Sequence, residues 1–190
     1  MPMRIDRVLL DRNRIADRVH ELAAQIASDF ERDIGDAGIH SENPESLMIV
    51  PLLTGSVIFL ADLIRQLPLM MRIRLLSASS YPGKSTTSQG VKIQDEFPED
   101  LSGQHVLIVD DILDSGRTIT AVRKLVESRG AASVRICVLL HKKLEQAKDV
   151  HADYVGFEIP DEFVVGYGLD FDGFYRNLPD VVTLKSEAMV

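Results

Sequence analysis

The chain has 190 residues, 45% of them hydrophobic and 26% charged, with a formal net charge of −8 at pH 7 and a single cysteine. This length suits one domain with a substantial core, the composition is that of a soluble globular protein, and no apolar run reaches the roughly 20 residues that span a bilayer. The acidic balance argues against a nonspecific nucleic-acid binder, which displays a basic face, and one cysteine excludes an internal disulfide.

The first residues, Met1-Pro2-Met3-Arg4-Ile5-Asp6-Arg7, lead into alternating charge rather than an apolar signal core, so a cytoplasmic location is expected. Ile15, Val19, Leu22, Ile26 and Phe30 then recur on one helical face, which predicts an amphipathic first helix packed on the core. A polar, turn-rich stretch from Gly35 to Pro44 precedes Leu47-Met48-Ile49-Val50-Pro51-Leu52-Leu53, a buried-strand candidate. The turn Thr54-Gly55-Ser56 follows, then a largely apolar helix within Val57 to Leu67, then a strand over Met71 to Ala78. Ser79 to Gly90 breaks this rhythm, being rich in Ser, Thr and Gly, and reads as an exposed loop. Gly130 ends a later helix, and Ser133 to Leu140 supplies the next strand with Cys137 buried inside it. Alternating strands and helices predict an α/β fold whose parallel β-sheet core is flanked by helices, with ligands at the carboxyl ends of the strands.

The densest signal is Val106 to Ile119. An apolar run stops at Asp110-Asp111 and enters the polar loop Asp114-Ser115-Gly116-Arg117-Thr118, after which Ile119, Val122, Leu125 and Val126 fall at helical spacing. The N–H groups that open such a helix have no intrahelical partners. With Gly116 permitting close approach and Ser115 and Thr118 adding hydroxyls, the loop suits a phosphate. A lone acid after a strand is most simply a helix cap. Two adjacent acids and a third at Asp114 exceed what capping needs, and carboxylates beside an anion site imply sugar hydroxyls or Mg²⁺ as partners. The loop is neither a Walker phosphate loop nor a dinucleotide fingerprint. It resembles the phosphoribosyl diphosphate motif of type I phosphoribosyltransferases.

Tyr154 to Asp170 packs turn residues, aromatics and acids too densely for simple alternation. Taken alone, an aromatic such as Phe163 is more often core than ligand platform, although its ring could stack on a planar base while backbone groups near Val164 read the base's edge. Together with the central motif, Phe157 to Asp170 resembles the signature of hypoxanthine-guanine phosphoribosyltransferases, and the similarity extends through Leu53-Thr54-Gly55-Ser56, Ser80-Tyr81 and Arg176.

That resemblance implies the type I phosphoribosyltransferase fold as a single domain over residues 1–190. Its core spans about 45–155, and the N-terminal segment and about 156–190 form a small hood. It also implies purine salvage: hypoxanthine or guanine and phosphoribosyl diphosphate give IMP or GMP and diphosphate, with Mg²⁺ as cofactor. By the family pattern Asp110 and Asp111 hold the ribose hydroxyls with Mg²⁺, Asp170 helps place a second Mg²⁺, and Asp114 is the base near purine N7. Asp114, Ser115, Gly116, Arg117 and Thr118 cradle the sugar phosphate. Leu53, Thr54, Gly55 and Arg176 contact diphosphate, in a turn that in the family often has a non-proline cis peptide and a lysine where this chain has Thr54. Lys142 bonds the purine O6, with Lys143 adjacent; Phe163 stacks on the base, and Val164, Leu169 and Asp170 complete its surroundings. Ser80 and Tyr81 belong to a lid that shields an oxocarbenium-like centre from water. A homodimer or homotetramer is expected, with neither nucleic acid nor membrane as partner. The rival readings are a xanthine-preferring enzyme and a noncatalytic regulator that senses phosphoribosyl diphosphate and binds nucleic acid.

Overall fold

A computed structural model describes residues 5–34, 47–80, 91–93, 97–142, 144 and 150–185. In chain order the elements are β1 (Ile5–Leu10), α1 (Arg12–Ile34), β2 (Leu47–Leu53), α2 (Val57–Ile64), β3 (Arg72–Ile73), β4 (Leu76–Ser80) and β5 (Val91–Ile93). There follow β6 (His105–Leu113), α3 (Arg117–Ser128), β7 (Ser133–Lys142), β8 (Tyr154–Ile159), β9 (Val164–Val165) and β10 (Val181–Leu184).

The main sheet runs β5-β4-β2-β6-β7-β8, with β3 also on β2. All its pairings are parallel except β4 with β5, so the expected parallel core carries one antiparallel edge. Its inner strands are apolar on both faces because both are covered. Leu47 and Ile49, Leu107 and Val109, Cys137 and Leu139 meet α1 and α2 on one side. Met48 and Val50, Val106 and Ile108, Ile136 and Val138 meet Ile119, Val122 and Val126 of α3 on the other. Cys137 is fully buried, and desolvation drives its thiol pKa up, so it is packing rather than chemistry.

Two sequence expectations are corrected by the ladder. The strand read over Met71 to Ala78 is two strands. Ile49 pairs with Ile73 and Leu52 with Leu76, leaving Val50-Pro51 opposite Arg74-Leu75. Pro51 has no N–H to donate, so the ladder on that side breaks opposite it. Second, β6 does not stop before the acid pair but continues through Asp110 and Asp111 to Leu113, paired with β7 as far as Leu113–His141.

A second, antiparallel sheet, β1-β10-β9, joins the N-terminal strand to the last two. Val164 and Val181 face the main core, whereas Val165, Val182 and Leu184 form a small cluster with Phe171, Tyr175 and Leu178. Asp11 caps α1, its Oδ1 accepting the N–H groups of Asn13 at 2.9 Å and Arg14 at 3.2 Å. From α1, Arg18 donates to the carbonyls of Gly156 at 2.9 Å and Val155 at 2.8 Å, on edge strand β8. Among the described residues no helix is long and apolar enough to cross a membrane.

Candidate active site

The carboxyl ends of β2 and β6 and the start of α3 enclose a cavity of about 270 Å³. Leu53, Gly55, Asp110, Asp111, Asp114, Ser115, Gly116, Arg117 and Thr118 all line it, with Leu52, Ile112 and Ile119, which sequence reasoning did not single out. Gly116 is the N-cap of α3 at φ 71°, a left-handed conformation that favours glycine, and a Cβ there would stand 2.5 Å from Cγ2 of Val150. No side chain caps the helix. Its first bond is Thr120 N–H to Gly116 O at 2.9 Å, so the N–H groups of Arg117, Thr118 and Ile119 precede the intrahelical ladder beside the cavity they line. Together with the helix dipole these donors favour an anion.

Asp110 and Asp111 sit within the last turns of the β6 ladder. Asp110 Oδ1 accepts the Asp111 N–H and Asp111 Oδ1 accepts the Ile112 N–H, each at 3.0 Å. Burial raises the Asp110 pKa well above the ordinary carboxylate value, and the neighbouring Asp111 charge adds to it. Burial also raises Asp111, against the hydrogen bonds from Asp110 and Ile112 and the Arg176 charge. Two crowded, desolvated carboxylates are a site that gains from a cation. Mg²⁺ keeps several waters and takes only one or two carboxylates plus substrate phosphates, so this donor set fits it. Among the described residues no three acidic, histidine or cysteine side chains converge on one metal position, so Asp170 does not join the pair.

Opposite β6, the Leu53–Thr54 peptide is cis, as expected for this turn. Gly55 is packed so closely on Asp111 that a Cβ would fall 1.8 Å from its Oδ2. Ser56 is fully buried and donates to the Leu52 carbonyl at 2.6 Å, holding the turn shut. The only hint of that role in the sequence is a small polar residue at the end of a buried strand. Thr54 is exposed and does not line the cavity.

The residues assigned to the base lie outside this cavity wall. Lys142, at the end of β7, is almost buried, and its Nζ pairs with Asp161 at 3.2 Å. Phe163 is 44% exposed, with its ring edge-on to Phe171 at 5.6 Å, which leaves an uncovered aromatic surface. Val164 pairs with Thr183 in the second sheet, and Leu169 closes a tight hairpin with Gly166 through bonds of 3.0 and 3.1 Å. Asp170 accepts from Arg176 at 2.7 Å and from the Gly173 N–H at 2.8 Å. Arg176 also donates to the Gly168 carbonyl at 2.6 Å, and it lines a separate cavity of about 300 Å³ with Arg12, Ile58, Asp62 and Tyr167. Tyr81, the rest of the expected lid through residue 90 and Lys143 lie outside the described residues, and of Ser80 only the backbone, at the end of β4, is described.

Comparison with known proteins places this geometry. The phosphoribosyl transferase domain family matches residues 8–172. The hypoxanthine phosphoribosyltransferase of Haemophilus influenzae is 41% identical over 171 residues, 90% of each chain. The hypoxanthine-guanine phosphoribosyltransferase of Streptococcus pneumoniae is 38% identical over 96% of this chain and 95% of its own. Among solved structures, a hypoxanthine phosphoribosyltransferase from Staphylococcus aureus superimposes with a TM-score of 0.85 at 36% identity, covering 98% of this chain and 95% of the other. A strand–loop–helix with uncapped N–H groups, an acid pair beside it and relatives matched over nearly their whole length lead to one conclusion: the chain belongs to the phosphoribosyl transferase family.

Proposed function

We propose that this protein is a cytoplasmic purine-salvage enzyme. It transfers the phosphoribosyl group of phosphoribosyl diphosphate to N9 of hypoxanthine or guanine, giving IMP or GMP and diphosphate. The observation that carries this reading is the acid pair of β6 set against Gly55 across one cavity, with the uncapped start of α3 as its floor. In this reading residues 1–190 act as one catalytic domain, and the β1-β10-β9 sheet is its hood.

Purine N9 forms a bond to the anomeric carbon as the bond from that carbon to the diphosphate oxygen breaks, and positive charge develops on the sugar ring. Asp110 and Asp111 orient the ribose hydroxyls. The α3 N–H groups, Ser115 and Thr118 hold the sugar phosphate. The Leu53 to Gly55 turn and Arg176 receive diphosphate. Asp114, exposed at the cavity, takes the proton that the base releases. Lys142 has three N–H donors, so it can keep its bond to Asp161 while donating to O6, which favours the 6-oxo tautomer. Mg²⁺ held by Asp110 and Asp111, with a second ion at Asp170, would supply charge that stabilises the departing diphosphate. Phe163 offers its open face for stacking, beside Val164 and Leu169.

Steady-state kinetics with hypoxanthine, guanine and xanthine, each with Mg²⁺ and phosphoribosyl diphosphate, test the proposal. Product from the first two supports it; preference for xanthine redirects the specificity, and no product from any base points to a noncatalytic sensor. We also propose a homodimer or homotetramer, for which Val57 and Ile58, each 39% exposed on α2, offer an apolar surface; light scattering measures the mass directly.

A further inference from the structure

The loop from Gly166 to Asp180 returns from the second sheet; its far end is held to α1 by Asp180, which accepts from the Arg12 N–H at 2.9 Å, and two contacts tie its near corner to the β2–α2 turn and α2. Gly168, at φ 103°, lies flat against the turn after β2, where a Cβ would stand 2.1 Å from the Gly55 carbonyl oxygen. Tyr167, at φ 51° and 6% exposed, donates its hydroxyl to Asp62 Oδ2 on α2 at 2.6 Å, across 105 residues of chain. The other Asp62 oxygen is paired with Arg65. Burial and the adjacent carboxylate push the phenol pKa up, so Tyr167 stays a donor.

The rest of the loop is fastened to these two residues. Tyr167 N–H bonds the Leu178 carbonyl at 2.7 Å and Gly168 N–H bonds the Arg176 carbonyl at 3.0 Å. The Arg176 guanidinium returns to the Gly168 carbonyl at 2.6 Å and to Asp170 at 2.7 Å. Arg176 and Asp170 therefore move with Gly168, Gly168 moves with Tyr167, and Tyr167 is fixed to the helix that grows directly out of the Thr54-Gly55-Ser56 turn. Among the described residues, the Tyr167 hydroxyl makes the one side-chain hydrogen bond between that loop's left-handed corner and α2.

We propose that Tyr167 is a positioning residue for the diphosphate-bearing substrate: anchored on Asp62, it sets Arg176 and Asp170 at a fixed distance from the Leu53 to Gly55 turn. The proposal rests on reading that turn and Arg176 as the diphosphate contacts. Without the hydroxyl, the corner keeps its steric contact with Gly55 but loses its tether. The loop then samples positions that do not bind, and the apparent affinity falls with the competent fraction.

The test is calorimetric titration of phosphoribosyl diphosphate with Mg²⁺ into the full-length protein and its Tyr167→Phe variant, followed by KM for each substrate. A hydrogen bond to a carboxylate corresponds to about 10- to 100-fold, part of it spent on stability, so the expected rise in Kd is about 5- to 20-fold. KM for hypoxanthine should rise clearly less than the Kd for phosphoribosyl diphosphate, because Phe163 and Lys142, unlike Leu169 and Asp170, are not held by this bond. Tyr154→Phe is the control. It loses a comparable bond, to Asp29 at 3.1 Å at the amino end of β8, and should lower Tm with Kd unchanged. Asp62→Ala combined with Tyr167→Phe should be no worse than the worse single variant, since each removes the same hydrogen bond, one from the acceptor side and one from the donor side. A Tyr167→Phe protein with lowered Tm and wild-type Kd overturns the proposal, as does an equal rise in both KM values. If the unaltered protein fails to bind phosphoribosyl diphosphate, the underlying site assignment falls and the proposal falls with it.

Discussion

Substituting Gly55 by alanine separates the acid pair's role from ordinary packing. The new Cβ would stand 1.8 Å from Asp111 Oδ2 and 2.5 Å from its Cγ, whereas ordinary contact begins at 3.4 Å. Gly55 is not among the residues with positive φ, so its backbone accepts alanine, and the loss of unfolded-chain freedom alone would stabilise by about 0.4–1 kcal/mol. The clash must then be relieved by Asp111, a short side chain whose Oδ1 is held at 3.0 Å by the Ile112 N–H. Overpacking of this kind costs about 1–3 kcal/mol. If the carboxylate swings away, that cost appears as a Kd for phosphoribosyl diphosphate with Mg²⁺ weakened by about 5- to 100-fold, while Tm changes little. Calorimetry and a thermal melt on the same preparation read both quantities. Asp111→Ala in the Gly55→Ala background should add little further loss of affinity, because the carboxylate has already left its place. A Gly55→Ala protein with a clearly lower Tm and an unchanged Kd would refute the reasoning, because the backbone of the turn would have yielded instead of Asp111.

Asp114→Asn should lower kcat by about 10²–10⁴-fold, the usual worth of a positioned acid or base, with the Kd for phosphoribosyl diphosphate near wild type. Near-normal turnover would remove Asp114 from that role. Lys142→Ala should raise KM for hypoxanthine by about 10- to 100-fold, the value of a charged hydrogen bond, and spare phosphoribosyl diphosphate. If Lys143→Ala alone does this, the assignment shifts by one residue. Asp180 is held below its ordinary value of 3.8 by hydrogen bonds from the Arg12 side chain and backbone N–H. Its contribution to stability is therefore complete above that ordinary value and is lost as pH falls through the lower folded one. Urea melts should show Asp180→Asn flattening the acid limb of stability against pH; an unchanged limb would mean that other carboxylates govern it.

The parts of the fold readable in the sequence are those governed by local periodicity. The apolar face of α1 from Ile15 to Phe30 is buried as expected, and Leu47 to Leu53 and Val106 onward are strands with both faces covered. The cavity residues Asp110 to Thr118 were legible because one continuous stretch carries strand end, loop and helix start. What the pattern obscured has physical causes. Pro51 breaks only one side of the β2 ladder, so its effect surfaces in a different segment, as the gap between β3 and β4. Carboxylates usually end strands, yet Asp110 and Asp111 stay in β6 because β7 pairs alongside them as far as His141. Contacts between distant segments, such as Gly55 with Asp111, Ser56 with Leu52 and Tyr167 with Asp62, leave no periodic trace. They require three-dimensional proximity that no window of sequence contains.

One consequence of the fold concerns what the molecule avoids. Strand β8 ends the main sheet, and an open edge with free carbonyls is a template on which another chain can add strand after strand. Arg18 reaches across from α1 and occupies the carbonyls of both Val155 and Gly156, while the Arg14 guanidinium lies over the Phe157 ring at 5.8 Å. The first helix thus covers this edge strand, and two arginines one helical turn apart take up backbone acceptors and an aromatic face that an added chain would otherwise use.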